Sequence, residues 1–273
     1  MALFQPQEFD FSDTKTYDVW ERHNLVRIDN LCNLSDPVEL YPSEELRAVS
    51  EKILEARKNG RPVIVFYGAH VIKCGLSRYL IDLIKRGLIT HIASNGAGSI
   101  HDFELAYLGG TSEHVPTAIE DGSFGMWEQT GGWMNEAIRQ GFEKGYGYGE
   151  ALAHYVDEHP DRFPYREDCV FYTAYASGIP ATYHVTMGTD IIHEHPSVDF
   201  AAIGGTSGRD FKIYVNSLKD LEGGVFLNIG SSVTGPEVFL KALSIVRNHG
   251  YMTRHITTGN FDIIPLGDYK SDV

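Results

Sequence analysis

What constrains this chain most is a unit that recurs along it: an apolar run, a glycine-rich break, then apolar residues at helical spacing. Residues 62–67 read Pro-Val-Ile-Val-Phe-Tyr and are broken by Gly68-Ala69-His70. Leu76, Leu80, Leu83, Ile84 and Leu88 then recur with the period of a helix face. A second run over 89–93 leads into Ser94-Asn95-Gly96-Ala97-Gly98-Ser99, with Ser99 as the expected N-cap of a helix reaching Leu108. The unit returns at 179–185, which leads to Met187-Gly188-Thr189-Asp190, and at 225–229, which leads to Gly230-Ser231-Ser232. Pro236 suits the first turn of a helix carrying Val238, Phe239, Leu240, Leu243 and Val246, and a last strand is expected over 255–258. This alternation specifies an α/β fold, a mostly parallel sheet with helices on both faces, Rossmann-like in plan.

Residues 44–57 have the spacing of a helix capped by Ser43, and another helix is expected over 133–142. The expected organisation is an N-terminal helical segment, residues 1–60, packed on a Rossmann-like NAD-binding domain, residues 61–273. Subtracting 23 basic from 37 acidic side chains leaves a formal charge of −14. That balance argues against nucleic acid or an anionic membrane as partner, since both need clustered Lys and Arg, and it favours cationic ligands such as polyamines. No stretch approaches the roughly 18 apolar residues of a membrane span, and the start lacks the features of a signal peptide. Cys32, Cys74 and Cys169 are odd in number and far apart, so no disulfide framework is expected and the cytoplasm is the expected location.

In an open parallel sheet, ligands bind beyond the carboxyl ends of the strands, where the glycine loops lie. Asn95-Gly96-Ala97-Gly98-Ser99 is the best cradle of the set, because amides at a helix start favour an anionic group such as a diphosphate. The same glycines also suit a tight turn with positive φ. Polar chemistry gathers at the same strand ends. His101, Asp102 and Glu104 open the helix behind the cradle, and His184, Asp190, His193 and His195 accompany the third strand. Those last four are the residue types of a zinc or manganese site, in a spacing that matches no metal signature.

At these positions the chain resembles the deoxyhypusine synthase family, over roughly residues 61–262. Gly68 to Gly75 is similar to the family's first NAD-contacting loop, and Ser94 to Gly98 with Asp102 behind it resembles the second. Gly188-Thr189-Asp190 resembles the family's Thr-Asp-Gly loop, and Thr257-Thr258-Gly259-Asn260-Phe261-Asp262 its last strand end. The resemblance implies NAD as cofactor, held by Ser94, Asn95, Gly96, Ala97, Gly98, Asp102, Gly188, Thr189, Asp190, Thr257, Thr258 and Asp262. It implies an amine or polyamine as substrate and a homotetramer as assembly. One of His101, Asp190 or His193 would move the proton that accompanies hydride removal, and Glu237 or Asp262 would anchor an ammonium group.

The chain departs from the family at three places. The acidic pair expected at the adenosine ribose falls on Ile100 and His101, and the polyamine-binding Lys-His-His falls on Gly235-Pro236-Glu237. The motif of the imine-forming lysine is absent, Lys270 being the only lysine in that neighbourhood. NAD-dependent oxidation of, or transfer from, an amine is the leading expectation. A metal-dependent hydrolase or lyase built on His184, Asp190, His193 and His195 is one alternative, and a non-catalytic NAD-binding protein is the other.

Overall fold

In a computed structural model, which describes residues 4–263, Val63, Val65 and Tyr67 face one side of a central strand. Ile64 and Phe66 face the other, and all five are buried. A strand apolar on both sides needs cover on both sides, and the chain supplies it. In chain order the strands are β1 (Val26–Arg27), β2 (Val63–Tyr67), β3 (His91–Asn95), β4 (Gly110–Thr111), β5 (Ala181–His184), β6 (Val225–Ile229) and β7 (Thr257–Phe261). The helices are α1 (Glu44–Lys58), α2 (Ala69–Lys73), α3 (Ser77–Lys85), α4 (Gly96–Leu108) and α5 (Val115–Asp121). They continue with α6 (Glu128–Lys144), α7 (Tyr148–Glu158), α8 (Val170–Ala176), α9 (Phe200–Leu218) and α10 (Thr234–Asn248).

Five strands make one parallel sheet in the order β5-β3-β2-β6-β7, so the expected α/β, Rossmann-like architecture is what the chain adopts. Direction of travel reverses between β2 and β6, which is where such sheets open a crevice at their carboxyl edge. Ala56 of α1, Ile81 and Ile84 of α3 and Val170 of α8 pack on the Val65 face. Tyr214 and Leu218 of α9 with Phe239 and Leu243 of α10 pack on the Phe66 face. A third apolar cluster joins α4, α6 and α7 through Phe103, Ile138, Leu152 and Tyr155 and reaches Tyr183 of β5. No helix among the described residues is long and apolar enough to cross a membrane.

Local boundaries differ from expectation in instructive places. Ser43 caps α1 as expected, its hydroxyl accepting from the Leu46 amide at 3.2 Å. Helix α4 begins four residues early, because Asn95 rather than Ser99 is its N-cap: Asn95 Oδ1 accepts from the Gly98 amide at 2.9 Å. Ser99 lies inside the helix, its hydroxyl donating to the Gly96 carbonyl. The expected glycine loop is therefore the first turn of α4, and neither Gly96 nor Gly98 has positive φ. The final strand is displaced by two residues, so Thr257 and Thr258 open β7, opposite Val225 and Phe226, instead of ending it.

Candidate functional site

A cleft of about 210 Å³ opens among the N-terminal segment, α4, the stretch after β4 and the loop after β5. Its walls include Arg22, Lys73, Ala97, His101, Glu104, Glu113, Thr189 and Asp190. The antiparallel pair β1–β4, with Val26 opposite Thr111, pins the N-terminal segment across the end of α4 and carries Arg22 into place. Four residues expected from sequence thus meet: Ala97, His101, Thr189 and Asp190.

Arg22 and Glu104 form a buried ion pair at 2.8 Å, with side chains 3% and 2% exposed. Burial raises the Glu104 carboxyl, but the Arg22 charge and the hydrogen bonds it accepts outweigh burial and hold it below the usual range. Thr111 donates its hydroxyl to Glu104 Oε2 at 2.5 Å, so its oxygen accepts from His101 Nδ1 at 2.7 Å. That relay makes His101 an Nδ1–H tautomer, leaving Nε2 as its acceptor end. Burial lowers the His101 pKa to about 4, so the ring is neutral at neutral pH.

Asp190 stands on the opposite wall, 6% exposed, and burial raises its pKa to about 7. His193 Nδ1 accepts from the Gly188 and Asp190 amides at 3.1 and 3.2 Å, so the neutral ring carries its proton on Nε2. That nitrogen is 3.9 Å from Asp190 Oδ2, and neither atom has a hydrogen-bond partner among the described residues. Glu113 accepts at Oε1 from the Trp127 indole at 2.9 Å and the Gly125 amide at 3.1 Å, while its Oε2 is buried and unpaired. Arg22 gives Nε to Asn24 and Nη1 to Glu104, and its Nη2 is likewise buried and unpaired. One small cleft therefore gathers a guanidinium donor and two carboxylate acceptors that the protein leaves unsatisfied.

The structure places other expected residues away from this cleft. The start of α4 is not open to a diphosphate: Asn95 caps it, and the Asp190 carboxylate lies against Gly96, where a second anion would meet like charge. Ser94 is fully buried and donates to the Tyr67 carbonyl, and a β-carbon on Gly98 would strike its hydroxyl. Asp102 is fully buried on the far side of α4, where it accepts from the Val170 and Phe171 amides at the start of α8. Thr257 and Thr258 sit at the amino end of β7, the wrong end of a parallel sheet for ligands. Asp262 lies just past the carboxyl end of β7 and accepts from Ser232 at 3.0 Å, and Glu237 pairs with Lys241 on α10. Lys270 lies outside the described residues.

The four candidate metal ligands do not converge. His184 faces Thr182 and stacks on Phe66, whereas His195 bonds Ser197 and looks toward Glu128. Among the described residues no group of three or more His, Cys, Asp or Glu side chains is placed to hold a metal ion. What sequence reasoning missed was Arg22 and Glu113. Arg22 meets Glu104 across 82 positions, and no local pattern announces such a pair.

A second, more open groove of about 450 Å³ lies beside the start of α10, with His184, Thr186, Thr234 and Glu237 on its walls. The loop after β5 separates the two: Val185 to Met187 line the groove, and Thr189 to Ile191 line the cleft. Unlike α4, α10 begins at Val233 with no side-chain cap. The neighbouring Gly68 lies so close to Gly230 that a β-carbon would fall 1.9 Å from its carbonyl oxygen. A glycine-lined strand edge and an uncapped helix start fit a dinucleotide here better than at α4.

No family model and no curated protein matches the chain. Solved structures do. A conserved putative LOR/SDH protein from Methanococcus maripaludis S2 is 15% identical, with a TM-score of 0.52 over 87% of this chain and 66% of that one. AgrE, solved as a ternary complex with ornithine and NAD+, is 17% identical with a TM-score of 0.51, over 84% of this chain. The chain spans only 29% of the length of AgrE. Such likeness shows a shared α/β fold. A putative deoxyhypusine synthase from Entamoeba histolytica matches at 10% identity and a TM-score of 0.42, over 63% of this chain and 58% of that one. A match at that level carries no weight for this chain.

Proposed function

We propose that the chain is an NAD-dependent enzyme acting on a small amine-bearing substrate. The substrate occupies the Arg22–Asp190 cleft, and the dinucleotide lies in the neighbouring groove, with residues 61–273 as its domain. The observation that carries this reading is the set of unpaired buried polar atoms around one cleft at the carboxyl edge of a Rossmann-ordered sheet. The cleft is too small for a dinucleotide, whereas the 450 Å³ groove falls within the range of roughly 300–1,000 Å³ typical of ligand pockets. NAD-bound AgrE, which shares the fold, supports the cofactor.

When bound, NAD supplies a hydride acceptor. The chain's own residues manage the proton. Asp190, with a pKa of about 7, is poised to accept one from a substrate ammonium or C–H near neutral pH. His193 Nε2–H faces the Asp190 carboxylate and steadies its charged form, and neutral His101 offers Nε2 as a hydrogen-bond acceptor.

The test is direct. Thermal stability of the full chain should rise with NAD+ concentration, and NADH absorbance should appear when a panel of amines and amino acids is added. Asp190→Asn should abolish NADH formation and keep the thermal shift. No shift with NAD+ overturns the reading. A shift with no turnover on any substrate favours a non-catalytic NAD-binding protein.

A further inference from the structure

We infer that the cleft selects a zwitterion, an amino acid, over a diamine or polyamine, an inference that rests on the cleft being the substrate site. Arg22 Nη2, Glu113 Oε2 and Asp190 Oδ2 all belong to cleft-lining residues at least nine-tenths buried. None has a partner among the described residues. A buried charged group left without a hydrogen bond is costly, so three in one small cavity mark atoms that a ligand satisfies.

Their signs specify that ligand. A carboxylate is the complement of the free guanidinium N–H, which is planar and donates in a fixed direction. Arg22 cannot turn away, because Nη1 is tied to Glu104 and Nε to Asn24, each at 2.8 Å. An ammonium is the complement of the unpaired oxygens of Glu113 and Asp190. Lys73, also on the wall, adds a second positive charge that repels an all-cationic ligand. A polyamine would satisfy the two carboxylates and leave Arg22 unpaired beside like charge. A simple carboxylic acid would satisfy Arg22 and leave Glu113 and Asp190 unpaired.

Titration calorimetry on the full chain without NAD tests this with three ligands of similar length: L-ornithine, putrescine, which lacks the carboxylate, and pentanoate, which lacks the ammonium groups. L-ornithine should bind about tenfold or more tighter than either. Arg22→Lys keeps a cation opposite Glu104 and loses the Nη2 donor, so L-ornithine affinity should fall about tenfold while putrescine affinity holds. Glu113→Gln should weaken L-ornithine and leave pentanoate unchanged. If circular dichroism shows either variant unfolded, the wild-type comparison decides. Putrescine binding as tightly as L-ornithine, or no binding of any of the three, overturns the inference. Amino-acid selectivity without an NAD+-dependent thermal shift upholds it and sinks the dinucleotide reading. NADH formed from putrescine but not from L-ornithine does the reverse.

Discussion

The Asp190 carboxylate rests on the backbone of Gly96, so close that a β-carbon there would lie 1.9 Å from Oδ2. The contact joins the loop after β5 to the first turn of α4 and closes one wall of the cleft. It explains a glycine that needs no positive φ, and it predicts that Gly96→Ala forces the loop outward at a cost of about 1–3 kcal/mol, the range for overpacking. Urea denaturation measures this. Gly208→Ala is the control: it lies in α9 with no atom within 4 Å of its added methyl, and should stabilise by about 0.5–1 kcal/mol. Equal effects of the two substitutions would refute the close-packed wall.

Asp190 also makes stability depend on pH in a defined direction. Its folded pKa of about 7 lies above the ordinary 3.8, so between those values the folded state holds a proton that the unfolded chain has lost. The contribution is present below pH 3.8 and lost as pH rises toward 7, at up to about 1.4 kcal/mol per unit. Asp102 and Asp210, raised by burial to about 7 and about 8, act in the same sense. Burial of His101 acts oppositely, removing stability as pH falls from 6.5 to about 4. The difference curve between wild type and Asp190→Asn isolates one group: the variant should gain on wild type as pH rises from about 4 to 7. A flat difference curve would show an Asp190 with an ordinary pKa.

Removing one partner of the Arg22–Glu104 pair strands the other in the protein interior. Arg22→Ala should cost about 3–5 kcal/mol, far more than an exposed ion pair. The double variant Arg22→Met with Glu104→Leu should recover most of that loss, because no charge is left buried alone. Both follow from chemical denaturation, and a double variant no more stable than the single one would contradict the pairing.

Asp102 separates a capping role from a cofactor role. Its carboxylate accepts from the Val170 and Phe171 amides at 2.9 and 3.0 Å, which satisfies the first turn of α8. Asp102→Ala should lower stability by about 1–2 kcal/mol and leave the NAD+-dependent thermal shift unchanged. Loss of that shift in a folded variant would return Asp102 to the cofactor site.

The legible part of the molecule was the part written in short-range pattern. Apolar runs at 62–67 and 225–229 and the helical spacings after them are local consequences of burying a strand on both faces and a helix on one. The glycine loops marked the carboxyl edge, and His101, Thr189 and Asp190 were found because they follow strands. The N-cap of α4 was misplaced because Asn95 and Ser99 are both good capping residues, and the choice turned on how far β3 extends.

Sequence alone determined the α/β class, the expected sheet edge for ligands and a set of polar residues there. Tertiary structure decided which of those residues share a cavity. It turned Asp102 toward α8, laid Asp190 over Gly96 and carried Arg22 from the N-terminal segment to Glu104. Each of those contacts joins residues from 68 to 94 positions apart. Burial and the pairing of charges act through space and leave no local periodicity to read.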